Sequence, residues 1–198
     1  MRLDLMLAER WIAPDARVLD LGCGEGDLLA HLRQRQGVRG YGVEIDPERI
    51  RRCVARGVNV IEHDLDAGLA LFGDDRFDTV VMTMALQVVA APDRLLLDML
   101  RVGREAIITF PNFAYWKTRL YLALRGRMPM SEALPYHWYD TPNIHLCTFA
   151  DFDALCAEHH LRILDRHAVN GEQASGPLMQ AWPNVFGEVA IYRVARHA

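Results

Sequence analysis

Apolar positions along the chain fall into short continuous runs, separated by stretches with helical spacing, and the two kinds alternate. Ala16 to Leu21, Tyr41 to Asp46, Asn59 to Leu65, Phe77 to Thr83 and Glu105 to Phe110 read as strands. Asp27 to Gln34 puts Leu28, Leu29 and Leu32 on one helical face and stops before Gly37. Asp46 caps a helix with Pro47 at its first position, Ile50 and Val54 inward, and Gly57 past its end. Pro92 opens a helix carrying Leu95, Leu96, Met99 and Leu100, which ends at Gly103. Thr148 to Asp151 predicts a capping box for a helix reaching about His159. Leu161 to Val169 and Val185 to Val194 read as two last strands, joined by a loop rich in Gly, Pro and Ser. The alternation predicts a single α/β domain over residues 1–198, with a mostly parallel sheet and helices on both faces.

Residues 111–147 break the alternation. Eight aromatic residues lie between Phe110 and Tyr139, with Lys117, Arg119, Arg125 and Arg127 before the first acid, Glu132. Phe113 to Leu124 fits an amphipathic helix; Pro129, Pro135 and Pro142 then impose extended or turn backbone. Aromatic and arginine side chains anchor protein interfaces, so Trp116, Arg119, Arg125, Tyr136 and Trp138 are the interface candidates. A lid packing its rings on the carboxyl edge of the sheet is an equal expectation, and one segment can serve as both.

Composition narrows the function classes. A net charge of −4 argues against nucleic acid as a partner. No apolar run approaches the ~20 residues of a membrane span, and the first residues lack a secretory signal. Cys23, Cys53, Cys147 and Cys156 form no C-x-x-C pair and read as reduced thiols of a cytoplasmic protein. No His, Cys, Asp and Glu set has metal-ligand spacing.

The chemistry concentrates in Val18-Leu19-Asp20-Leu21-Gly22-Cys23-Gly24-Glu25-Gly26, a strand entering a glycine-rich turn that opens a helix. Such a turn lets backbone approach a ligand and aims free N–H groups at it. Asp20 would repel the pyrophosphate of a dinucleotide but attract the ammonium and sulfonium of S-adenosylmethionine (SAM). Glu44 follows at the spacing of about 20 residues at which a strand-end carboxylate meets ribose hydroxyls, with Ile45 beside it. Asp64 is placed to accept from an adenine amino group, with Leu65 stacking nearby. The predicted cofactor set is Asp20, Gly22, Cys23, Gly24, Gly26, Glu44, Ile45, Asp64 and Leu65. This ordered set resembles the class I SAM-dependent methyltransferase domain; a dinucleotide-binding domain is the alternative. The resemblance implies a Rossmann-like, seven-stranded sheet closed by an antiparallel C-terminal hairpin.

The acceptor end is poorer. After the fourth strand the chain reads Thr83-Met84-Ala85-Leu86-Gln87-Val88-Val89, with no titratable side chain and no Asn/Asp-Pro-Pro-Tyr/Phe clamp. Gln87 can orient a ligand but cannot act as a base. His137 and His145 flank the aromatic segment and are expected to make structural hydrogen bonds rather than to act as bases. No catalytic residue is assigned.

Phe110-Pro111-Asn112-Phe113-Ala114-Tyr115-Trp116, Leu124-Arg125-Gly126-Arg127-Met128-Pro129, and Tyr139-Asp140-Thr141-Pro142-Asn143-Ile144-His145 are more specific than the turn. With Val18 to Gly26 they resemble the bacterial MetW family of methionine biosynthesis proteins, from about Leu3 to Tyr192. The resemblance implies association with the homoserine O-acyltransferase MetX as an activating subunit. SAM or S-adenosylhomocysteine (SAH) is the expected ligand, and a small-molecule methyltransferase is the alternative.

Overall fold

The structure is a computed structural model describing residues 3–170, 173–174 and 176–197. Five parallel strands come first: β1 (Arg17–Leu21), β2 (Arg39–Glu44), β3 (Val60–Glu62), β4 (Phe77–Thr83) and β5 (Gly103–Pro111). They are followed by β6 (Leu161–Asn170), a two-residue β7 (Gln173–Ala174) and β8 (Val189–Arg196). The sheet order is β3-β2-β1-β4-β5-β8-β6-β7, with β8 antiparallel to both β5 and β6. The seven predicted strands are all present, and the C-terminal pair is antiparallel as expected. Strand order reverses between β1 and β4, which opens a crevice at the carboxyl ends of those strands.

Side-chain alternation along the strands separates two cores. In β4, Val80 and Met82 face α4 (Pro92–Val102) and α6 (Phe149–Glu158), while Val81 faces α1 (Leu3–Glu9), α2 (Asp27–Gln36) and α3 (Pro47–Ala55). Phe110, Phe149, Phe152 and Tyr192 form an aromatic cluster, with the Tyr192 hydroxyl donating to Asp153 Oδ1 at 2.7 Å. Burial, and then the bond to Asp153, push that phenol above its ordinary range. The capping box forms as predicted: Asp151 N donates to Thr148 Oγ1, and Thr148 N to Asp151 Oδ2.

Four expectations need correction. Cys53, not Val54, turns inward on α3; Val54 is 63% exposed, because the inward stripe runs through the residue next to it. The last strand starts at Val189 rather than Val185, since Pro177 and Pro183 open two short helices, α7 (Pro177–Ala181) and α8 (Pro183–Phe186). The third strand stops at Glu62, and Leu65–Ala67 form a 3₁₀ turn. The helix expected from Phe113 begins at Trp116, because Asn112 to Tyr115 is a turn closed by Tyr115 N to Asn112 O; it is α5 (Trp116–Arg125).

Candidate cofactor cleft

The ends of β1 to β4 border a cleft of about 1140 Å³. Its floor is the glycine-rich turn. Gly22, Gly24 and Gly26 have φ of 68°, 58° and 78°, so alternate residues lie in the left-handed region. The turn is pinned to β2 by Gly22 N and Cys23 N, both donating to Val43 O, at 2.9 and 3.0 Å. A Cβ on Gly24 would meet nothing within 4 Å, so the main chain there faces open cleft.

Glu44 organises this floor. Its side chain is buried, and three main-chain amides converge on it: Gly24 N on Oε2 (2.9 Å), Ile45 N on Oε1 (2.9 Å) and Asp46 N on Oε1 (3.1 Å). Arg49 Nη1 lies 3.8 Å from Oε2. Asp20 is 2% exposed and lines the cleft one residue before the strand ends. Ile45, exposed, and Leu65, half-buried, form apolar wall on the β2 and β3 side. Asp64 lines the same side while capping the 3₁₀ turn through Asp66 N, at 2.9 Å.

Eight of the nine predicted cofactor residues therefore border one cleft. Gly26 does not. It is the N-cap of α2, and a Cβ there would lie 3.1 Å from Cys53 Sγ and 3.2 Å from Val58, so its role is to let the helix start against α3. Cys23 borders the cleft, but its sulfur lies 3.9 Å from Cys53 Sγ and where a Cβ on Gly42 would go. Burial, and then the Asp20 carboxylate, push its thiol well above the ordinary range, so it stays protonated and serves as packing.

The opposite wall comes from Leu5 and His31, which no motif singled out, and from Glu132, Ala133, Pro135, Tyr136, Pro142 and Asn143 of the aromatic segment. His31 Nε2 lies 3.0 Å from Glu9 Oε2, which occupies its ring. The amides of Ile144 and His145 both donate to Gln87 O, at 2.9 and 3.1 Å, and so hold residues 142–145 over the end of β4. Part of the segment thus lies over the cleft, where a lid was expected. His145 Nε2 faces Ala90 O at 3.4 Å and His137 stacks on Tyr139, consistent with structural roles.

The interface candidates lie apart from the lid's inner face, except Tyr136, which lines the cleft. α5 buries only Thr118. Twelve large apolar side chains between Trp116 and Leu146 are exposed, among them Leu120, Leu124, Tyr139 and Ile144, with Trp138 at 75%. Arg125 is exposed, whereas Arg119 Nε donates to Ala114 O and clamps the start of α5. Asn112, in the Phe-Pro-Asn motif, is buried: its Nδ2 donates to Gly187 O (2.7 Å) and Asn184 O (3.1 Å), and its Oδ1 accepts from Ala114 N (3.1 Å).

The carboxylates at successive strand ends, the open glycine turn and the apolar wall suit a ligand that is cationic at one end and a nucleoside at the other. Together with the sheet order they define a protein of the class I SAM-dependent methyltransferase fold. A Mesorhizobium loti S-adenosylmethionine-dependent methyltransferase is similar in structure, with a TM-score of 0.70 at 17% identity, over 98% of each chain. So is the [4+2]-cyclase SpnF, with a TM-score of 0.64 at 17% identity, over 98% of this chain and 80% of that one. The family described as "Methionine biosynthesis protein MetW" matches residues 2–194, and the chain belongs to it. The bifunctional methionine biosynthesis protein MetXA/MetW of Rhodopirellula baltica is 43% identical over 149 residues, or 71% of this chain. That match spans 24% of the relative's length. Among the described residues no helix is long and apolar enough to cross a membrane, and no cluster of three metal-ligating side chains occurs.

Proposed function

We propose that this protein is a non-catalytic activator subunit of the homoserine O-acyltransferase MetX, with a cleft that binds SAM or SAH. The observation that carries the reading is the exposed apolar run of α5 and the lid, Trp116 to Leu146, continuous with residues that close the cleft. A surface of this kind, with aromatic residues and arginine and few acids, has the composition of an interface core. The Rhodopirellula relative carries MetXA and MetW names on one chain, which supports MetX as the partner. The end of β4 offers Thr83, Met84, Ala85 and Gln87 but no base, which supports binding without transfer.

In this reading Asp20 meets the cationic end of the cofactor, Glu44 the ribose diol, Asp64 the adenine amino group, and Ile45 and Leu65 the adenine faces. Bound SAM would supply an activated methyl group. The protein's own residues orient the molecule, and Pro142 to His145 exclude water from above. Because the lid continues into the docking surface, ligand occupancy biases MetX binding; a tenfold change in partner affinity requires about 1.4 kcal/mol of coupling.

The test is an acyltransferase assay of the cognate MetX with and without this protein, each with and without SAM. A rise on adding the protein supports the activator role, and a further SAM effect supports sensing. No rise at any ratio sinks it. A methyltransferase is the second reading, favoured by the cleft's volume, which exceeds the roughly 300–1,000 Å³ typical of a single-ligand pocket. Transfer of label from SAM to an acceptor in cell extract would select it.

A further inference from the structure

Gln87 follows β4 in a 3₁₀ turn and is only 7% exposed, yet it borders the cleft. Its Nε2 donates to Met84 O at 2.9 Å. A carbonyl can only accept, so that contact fixes which way the amide faces and leaves Oε1 on the other side. Oε1 is buried and accepts no hydrogen bond from the protein. A buried acceptor without a donor is costly, and its partner is then sought in a ligand. Met84 has a φ of 55°, a conformation uncommon outside glycine, and both the Gln87 amide and the Thr109 main-chain carbonyl hold it there. The amide oxygen is therefore held in place by strained, braced backbone.

Sheet order says which part of a ligand reaches it. Glu44 ends β2 and Asp64 follows β3, so the nucleoside runs from β1 toward the β3 edge. The remainder must extend the other way, toward β4. The two strands touch there: a Cβ on Gly22 would lie 3.2 Å from the Cβ of Ala85, two residues before Gln87.

We infer that Gln87 is the specificity-determining residue for the amino-acid end of the cofactor, its Oε1 accepting a hydrogen bond from the ligand's ammonium. The inference rests on the cofactor reading above but not on the MetX partnership. Gln87 also holds the lid through its main-chain oxygen. One residue therefore meets both the ammonium and the segment that carries the docking surface.

The test is isothermal titration of the isolated protein with SAM, SAH and 5′-methylthioadenosine, which keeps the nucleoside and thioether but lacks the ammonium and carboxylate. Wild type should bind SAM and SAH tighter than methylthioadenosine. Gln87→Met removes the acceptor at similar volume; it should weaken SAM and SAH about tenfold or more while leaving methylthioadenosine unchanged. Unchanged SAM affinity, or equal loss for all three ligands, overturns the inference. Should Gln87→Met fail to fold, Gln87→Glu keeps an acceptor and should hold the SAM to methylthioadenosine ratio at or above that of wild type; a fall in the ratio overturns the inference. Wild type that binds none of the three overturns the cofactor reading and this inference with it, and leaves the partnership to its own assay.

Discussion

The main-chain amide of Gly24 donates to the Glu44 carboxylate across 2.9 Å, which joins the glycine-rich turn after β1 to the end of β2. The contact lets one acid do two things: it shapes the turn by gathering three amides, and it stays at the cleft wall where a diol would be read. Glu44→Ala leaves those amides without their acceptor at a buried position. It should cost about 2–4 kcal/mol of stability and abolish SAM and SAH binding. Glu44→Gln keeps one acceptor oxygen but sets an NH₂ against an amide, and should lose binding with a smaller stability cost. Urea unfolding and calorimetric titration of both variants check this; wild-type SAM affinity in Glu44→Ala would remove Glu44 from the cofactor set.

Asn112 shows why a motif residue need not be a site residue. Its amide satisfies two carbonyls beside β8 and one amide of the turn before α5, two of the three bonds being fully buried. Asn112→Ala should lower stability by about 2–3 kcal/mol, roughly 5–10 °C in Tm, without changing ligand affinity at a temperature where the variant is folded. A Tm within a degree of wild type would show that water replaces those bonds.

The convergence of the glycine turn and the strand-end acids on one cleft was legible because it is local: a turn after β1 and acids at the ends of the next two strands must converge once the strands are parallel neighbours. The lid side was legible in part: a lid over the carboxyl edge was one of two equal expectations, but not which residues line the cleft. Glu132, Pro135, Tyr136 and Asn143 do so in a segment held by Gln87 O, which accepts from Ile144 N and His145 N across more than fifty residues with no sequence pattern. Helix α1 was also missed; at seven residues it is too short to show periodicity, and it is held by tertiary bonds such as Thr109 Oγ1 to the buried Asp4 at 3.3 Å. Phe77–Thr83 matched to the residue, since Asp74-Asp75-Arg76 before it and the turn after Thr83 delimit an apolar run.

Acid sensitivity has an identifiable contributor at the amino edge of the sheet. Asp78 accepts from the Arg17 guanidinium at 3.1 Å and from Arg17 N at 2.9 Å, and the guanidinium bond above all holds its carboxyl below the usual range. A depressed folded value means the stabilisation is complete above the unfolded value of about 3.9 and is lost as pH falls through the folded one. Asp78→Asn should therefore destabilise at pH 6, and the gap to wild type should close as pH falls through the folded value. Denaturant midpoints along an acid series measure it; a constant gap would assign the effect to hydrogen bonding without charge.

The thiols offer a check on packing. Burial pushes Cys147 and Cys156 up to about 12, and raises Cys23 and Cys53 as well. All four should resist alkylation by iodoacetamide at pH 8 in the folded protein and react promptly in urea, because the thiolate is the reactive form. One thiol modified at the rate of a free cysteine would locate an opening motion in the element that carries it.

The proposed docking surface can be separated from the fold because most of its apolar side chains are already exposed. Trp138 is three-quarters exposed, so truncating it removes little buried area; Trp116, on the open face of α5, is 40% exposed and packs its ring edge against Tyr115, so its truncation removes more. Trp138→Ala and Trp116→Ala should each leave Tm within about 5 °C of wild type while weakening MetX binding by about 1–2 kcal/mol, roughly five- to thirtyfold. Arg119→Ala differs: its guanidinium clamps Ala114 O, so partner affinity and stability should fall together. Tyr136→Ala differs again, since that ring lines the cleft, and it should weaken SAM and MetX binding alike if the lid carries both. Titrations of the four variants against MetX, paired with melting curves, give a two-dimensional pattern. If all four retain wild-type MetX affinity, the interface lies elsewhere, and the exposed run from Trp116 to Leu146 has another occupant.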